Sequence, residues 1–249
     1  MLGISIQPKK AVHIIKETAQ IPLKILRTGR LVLESRKQEA GILRFNPHAK
    51  NNIALTFDDG PTPSFTPEIL DILKEHEAKA TFFLTGKNVQ RYPDICRRIV
   101  REGHELGNHT YSHFALTSVI PLTIRREIEL CELAILKATG RRTKYFRPPY
   151  GLYNRFVKKA VLESNYKMVM WSLRTYDSSY GLMRKKMIEG LVLRKIKPGD
   201  IILMHDSKSY IKNIMDNKAT LKALPEILKY IQMMGLKPVT ISELFQNKG

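Results

Sequence analysis

Apolar residues along this chain gather into short strand-like runs separated by longer stretches where they recur every three or four positions. The runs cover 53–58, 80–85, 104–109, 144–147, 167–172, 200–205 and 237–241,. The intervening periodicity predicts helices over 66–77, 92–102, 121–138, 154–164, 182–195 and 220–234,. Pro67 and Pro93 stand near helix starts, where a missing N–H is harmless,. Regular alternation of strand and helix is the signature of a parallel α/β architecture. The length it covers is ample for a single buried core.

The chemistry of the chain sits where strand-like runs end. The run Asn52 to Phe57 breaks into Asp58-Asp59-Gly60-Pro61, a strand end entering a turn. Neighbouring residues on an extended segment face opposite sides, so the two carboxylates need not share a task. In isolation this tetrapeptide reads as a solvated turn. About fifty residues later comes His109-Thr110-Tyr111-Ser112-His113. Gly107, Asn108 and Tyr111 argue against a regular helix there, so the two imidazoles are expected in a loop or irregular turn. An oxygen ligand, two imidazoles and a spare carboxylate are the parts of a hydrolytic zinc-type site: three protein ligands and a base for water. Asn108-His109-Thr110 also fits a glycosylation sequon, but its overlap with this motif argues against that use.

Three later segments place further reactive groups just past apolar runs: Tyr145-Phe146-Arg147-Pro148-Pro149-Tyr150-Gly151, Trp171 to Asp177, and Asp200-Ile201-Ile202-Leu203-Met204-His205-Asp206. In barrels of alternating strands and helices, active sites assemble at those strand ends. For His205 taken alone, a buried histidine satisfied by a backbone carbonyl is the plainer reading. Five such segments in one chain are hard to explain as solvated loop ends.

Thr56 to Pro61, His109 to His113, Arg147 to Gly151, Trp171 to Asp177 and Leu203-Met204-His205 resemble, in order, the five motifs of the polysaccharide deacetylases, the NodB-homology enzymes of carbohydrate esterase family 4. Thr81 to Gly86 and Gly103 to Asn108 resemble connecting stretches of that family. The resemblance spans about residues 51–245. With seven strand-like runs it implies a distorted, incomplete (β/α)7 barrel of parallel strands over residues 51–249, preceded by a basic extension at 1–50.

The resemblance also implies roles. Asp59, His109 and His113 would hold a divalent metal, most often Zn2+, with Co2+ or another divalent ion as substitutes. Asp58 would be the general base and Arg147 its partner, an adjacent cation favouring the charged carboxylate. His205 would protonate the leaving amine, with Asp177 behind it. The Tyr150 N–H would help stabilise the oxyanion, and Leu203 would line the pocket for the acetyl methyl. These parts suit amide hydrolysis, which needs an activated water, oxyanion stabilisation and a proton for a poor leaving group. The implied activity is removal of N-acetyl groups from N-acetylglucosamine units of an oligo- or polysaccharide. The alternatives are an O-acetyl xylan esterase, or a catalytically impaired protein of the same fold that binds glycans or anionic surfaces. Many relatives follow the Asp177 position with tryptophan, where this chain has Ser178. That change bears on the groove and on the tuning of His205 but not on the metal donors. Trp171, the sole tryptophan, lies within an apolar run and is expected in the core.

Charge modifies this picture modestly. The 42 Lys and Arg outnumber 23 Asp and Glu, for a net charge of +19. Much of the excess is interspersed along helices, as in Arg97-Arg98 and Lys158-Lys159, which is the pattern of solvated faces. With neither a phosphate-binding glycine loop nor a nucleic-acid fingerprint, no specific nucleic-acid binding is expected. The charge favours an anionic or membrane-linked substrate. Residues 1–50 carry ten Lys or Arg against three Glu. Their aliphatic-basic stretch 21–33 suits either a cover for the barrel's open seam, the favoured reading, or peripheral contact with an anionic membrane. Cys96 and Cys131 are expected to be reduced core thiols. No secretory apolar segment opens the chain and no run is long enough to span a bilayer, so a cytoplasmic or membrane-peripheral protein is expected.

Overall fold

The computed structural model describes residues 39–175, Asp177, 195–207 and 218–246. The expected helix over 182–195 lies outside them save for Lys195, as do Ser178 and the chain before residue 39. The strands are β1 (Ile42–Leu43), β2 (Asn52–Asp58), β3 (Ala80–Leu84), β4 (Glu105–Asn108), β5 (Tyr145–Phe146), β6 (Lys167–Val169), β7 (Leu173–Arg174), β8 (Ile201–His205) and β9 (Lys237–Val239). The helices are α1 (Thr66–Glu75), α2 (Gly86–Arg91), α3 (Pro93–Arg101), α4 (Pro121–Thr139), α5 (Arg155–Glu163), α6 (Lys218–Met233) and α7 (Ile241–Leu244).

Among the described residues, all nine strands join one sheet in the order β1-β6-β5-β4-β3-β2-β8-β7, with β9 beside the start of β2, and every strand pair is parallel. The sheet curls into the expected incomplete barrel. β2 is its centre because six of its seven residues are buried, which an exposed edge would not allow. Its alternate residues serve two layers. Ile53, Leu55 and Phe57 pack outward in a cluster with Ile69 and Leu70 of α1 and Leu224 and Ile227 of α6. Ala54 packs with Phe83, Ile201 and Leu203, and Thr56 and Asp58 share its face of the strand.

The run over 167–172 behaves differently from the single strand expected of it. β6 pairs with β5 and β1, whereas β7 pairs with β8. Between them the Met170 N–H donates to Leu43 O at 2.7 Å and the Ser172 N–H to Ile201 O at 3.0 Å. The chain thus leaves β5 and β1 after Val169, bends at Ser172 and takes up β8 from Leu173. Beside it, the Asn46 N–H donates to Gly199 O at 2.9 Å and Phe45 bridges Asp200, so residues 42–46 fill the space between β6 and the start of β8.

Register brings the reactive strand ends level. Asp58 stands opposite both Phe83 and His205, Leu84 opposite Asn108, and Asn108 opposite Phe146. Asp59, His109 and Arg147 are each the next residue after β2, β4 and β5. Among the described residues, no helix is long and apolar enough to cross a membrane.

Candidate metal centre and active site

The turn after β2 carries Asp59 into the left-handed region at φ 78°, and the loop after β4 does the same for Thr110 (66°) and His113 (57°). Asp and His tolerate that region better than most residues. It turns their side chains back over the barrel mouth, where strained conformations often serve function. Asp59 Oδ1 lies 2.9 Å from His113 Nε2 and 3.4 Å from His109 Nε2. All three side chains are buried, and their donor atoms lie within 4.8 Å of one another.

The donor set fits a divalent metal on its own chemistry. His109 Nδ1 is 2.7 Å from the Arg147 carbonyl. A carbonyl can only accept, so Nδ1 carries the proton and Nε2 presents its lone pair. Ser207 Oγ donates to the Asp59 carboxylate at Oδ2 (3.3 Å), and Asn88 Nδ2 donates to the Asp59 backbone carbonyl (2.9 Å), holding the turn that presents it. Burial acts to raise the Asp59 carboxyl, but His113, then His109, outweigh it and hold it well below the usual range. One carboxylate and two imidazoles, that of His109 oriented through its Nδ1, are all buried and a fitting site for a metal of zinc's preferences,.

Asp58 presents its two oxygens differently. Oδ1 accepts from Arg147 Nη1 at 2.6 Å, while Oδ2 lies 3.7 Å from His109 Nε2, toward the metal donors. Arg147 is fully buried. It also donates to Thr56 Oγ1 at 2.9 Å, Val169 O at 3.2 Å and Met170 O at 3.3 Å. Its guanidinium lies 4.1 Å from the centre of the Phe83 ring, a cation–π contact strengthened by the dry surroundings. Trp171 is buried behind it, 5.8 Å from ring centre to guanidinium carbon, and is a core residue as expected.

Across the mouth, His205 ends β8 and meets Asp177. Asp177 Oδ1 pairs with the ring Nδ1 at 2.8 Å, and Asp177 Oδ2 accepts from the His205 backbone N–H at 2.7 Å and from Thr220 Oγ1 at 2.8 Å. Burial disfavours the imidazolium, but Asp177, and more weakly Asp59 and Asp58, overcome it and push His205 up to about 9. Leu203 is buried two residues earlier on β8 and so shares the His205 face,. Tyr150 follows β5 in a turn at φ 59°, with its ring 4.8 Å from that of His113.

All nine residues singled out from sequence therefore stand at one end of the barrel. Three others were not foreseen. Thr220 lies 43 residues from the Asp177 it braces and carries no local signal. Asn88 sits on α2, a short helix that begins with glycine and was not predicted. Asp206 follows His205 and is fully buried, and burial, then Asp59 and Asp58, push its carboxyl up to about 7. Its Oδ2 accepts from Thr66 Oγ1 at 2.6 Å, and it presses so closely on Gly60 that no Cβ could stand there. That close approach is a physical reason for glycine after the paired aspartates.

Comparison with known proteins agrees with this geometry. The family model described as polysaccharide deacetylase matches residues 45–169. A peptidoglycan-N-acetylglucosamine deacetylase of Bacillus cereus is 39% identical over 201 residues, which is 80% of this chain and 70% of that protein. The solved structure of the Bc1960 peptidoglycan N-acetylglucosamine deacetylase superposes with a TM-score of 0.76 at 37% identity, covering 83% of this chain and 93% of its own. A carbohydrate esterase family 4 pseudoenzyme from Bacillus anthracis also superposes, with a TM-score of 0.74 at 29% identity over 83% of this chain and 69% of that one. A shared fold therefore does not by itself establish turnover, and the site must.

Proposed function

The chain belongs to the polysaccharide deacetylase family, and from that premise we propose that it removes N-acetyl groups from N-acetylglucosamine units of a peptidoglycan-like glycan. Deacetylation as the class of reaction follows from relatives 35–39% identical over most of the chain. The observation that carries the reading is the meeting of three metal donors, a carboxylate held by arginine and a histidine held by aspartate at one barrel mouth.

Asp59, His109 and His113 are the residues to hold the metal, and zinc is the ion their donor types favour. When bound there, a divalent cation polarises the amide carbonyl and makes water more acidic. The remaining steps belong to the protein. Asp58, with Oδ1 engaged by Arg147, uses Oδ2 to take a proton from the attacking water. His205, with its Nδ1 proton directed at Asp177, has Nε2 left to face substrate and gives its proton to the departing nitrogen. The Tyr150 N–H supports the developing oxyanion, and Leu203 bounds the space for the methyl group. Base and acid are thus separate groups, each held by a partner of opposite charge, Arg147 for Asp58 and Asp177 for His205,.

Acetate release tests this reading. Metal-stripped protein resupplied with zinc or cobalt is assayed on N-acetylglucosamine oligomers, peptidoglycan fragments and acetyl-xylan, beside Asp58→Asn. Metal-restored release from an N-acetylated glycan by wild type alone supports it. Release only from acetyl-xylan replaces it with an esterase, and no release from any member despite metal binding replaces it with a binding protein.

A further inference from the structure

A cleft of about 290 Å3 opens beside the metal donors, with Asp59 and His113 on one wall and Tyr111, Ser112, Lys87 and Arg91 on the others. We propose that this cleft is a subsite for a negatively charged substituent, a carboxylate or a phosphate, on a sugar adjoining the one that is deacetylated. The inference rests on the deacetylase reading and narrows its substrate class.

The argument is one of unbalanced charge in a defined place. Lys87 and Arg91 stand four residues apart on α2 and so share one side of it,. Several cations on the neighbouring helices are answered by carboxylates, though among the described residues Arg101, Arg126 and Lys137 are not. Arg97 meets Asp94, Arg98 meets Asp71 and Glu102, and Arg125 meets Glu163. Among the described residues, no carboxylate lies within ion-pair distance of Lys87 or Arg91. The one carboxylate in the cleft, Asp59, is turned to His109 and His113. Both cations are exposed, so they keep much of their hydration. They are suited to reading an anion that arrives on a ligand and not to stabilising the fold.

Position decides what that anion belongs to. Asp59 and His113 line both the cleft and the donor set, so a sugar adjoining one that presents its acetamide to the metal site can enter the cleft beside Lys87 and Arg91. A neutral chain of N-acetylglucosamine gives these cations nothing to pair with. A chain in which alternate sugars bear a carboxylate, as in peptidoglycan, does. A phosphorylated sugar offers the same chemistry with more charge.

Calorimetric binding to zinc-loaded full-length Asp58→Asn protein reads the subsite without turnover. The probes are chitotetraose, a tetrasaccharide of alternating N-acetylglucosamine and N-acetylmuramic acid, and a 6-phosphorylated chitotetraose. At low salt, at least one anionic probe is expected to bind about 5- to 10-fold tighter than chitotetraose, as two exposed ion pairs allow. Adding Lys87→Gln and Arg91→Gln, both surface changes, should erase that advantage, as should raising salt. Whichever anionic probe shows it identifies the source. Equal binding of all three probes, or an advantage that survives both substitutions, overturns the subsite. Acetate release by the wild-type protein separates the two readings. Release from chitotetraose without an anionic advantage keeps the deacetylase and removes the subsite. An advantage that depends on Lys87 and Arg91, without release from any probe, keeps the subsite and removes the deacetylase.

Discussion

Asp177 holds His205 at two points, the ring Nδ1 at 2.8 Å and the backbone N–H at 2.7 Å. One contact sets the charge of the imidazole and the other sets where it stands. His205 is raised from 6.5 to about 9, so its protonated form, the one that acts as acid, persists below that pH and is lost as pH rises through it. A cation on the metal donors repels the imidazolium, so the basic limb of kcat in the loaded enzyme should fall between these values. In Asp177→Asn the limb should move to 6.5 or below, and kcat at pH 8 should drop about 10- to 100-fold. A limb that stays in place would remove His205 from the acid role.

Arg147 is the only cation in hydrogen-bond contact with Asp58 among the described residues, and it is wholly buried. Arg147→Met leaves a buried carboxylate without its partner, a loss of about 3–5 kcal/mol in comparable cases. Arg147→Lys keeps the charge but cannot reach Asp58, Thr56, Val169 and Met170 together,. Urea midpoints should fall in both variants, further in Arg147→Met. Deacetylation should fall at least about 100-fold in both, even at temperatures where Arg147→Lys remains folded.

Asp206 gives stability a pH dependence of known sign. Its folded value of about 7 lies above the ordinary 3.8, so the folded protein binds this proton more tightly. Stability then declines as pH rises from about 4 to 7, by at most about 1.4 kcal/mol per pH unit from this group. Asp206→Asn can still accept from Thr66 and should flatten that decline. Urea titrations at pH 4.5, 6 and 7.5 would show it, and an unchanged slope would refute it.

The metal donors are already gathered on the folded chain, so metal binding should stabilise the protein. Zinc at 100 times its Kd is expected to add about 2.7 kcal/mol. The melting temperature should rise with zinc in wild type and not in His113→Ala, and chelation should abolish acetate release. Stabilisation of equal size in the variant would place the ion elsewhere.

The fold was legible where burial is complete. The runs over 53–58, 80–85 and 200–205 became β2, β3 and β8 within a residue or two, because central parallel strands are apolar on both faces. The run over 167–172 was equally visible, but its change of partner was not. Hydrophobicity records that a strand is covered and says nothing of which neighbour covers it. The donor residues could be named because their types and order are restrictive. Their convergence goes with left-handed backbone at Asp59, Thr110 and His113, which no periodicity encodes. Thr220 and Asp206 act through contacts 43 and 140 residues away, and neither has a local pattern to betray it.

The run that changes partners has a further effect on the chemistry. Through the Val169 and Met170 carbonyls it holds Arg147, and so the base; Asp177, a few residues further along the sequence, holds the acid. The separation between proton acceptor and proton donor is thereby measured out along one stretch of backbone, as on a ruler. Evolution can reshape the loops around this mouth and change the glycan it accepts. A residue gained or lost between Val169 and Asp177 would instead move the two halves of the reaction out of step.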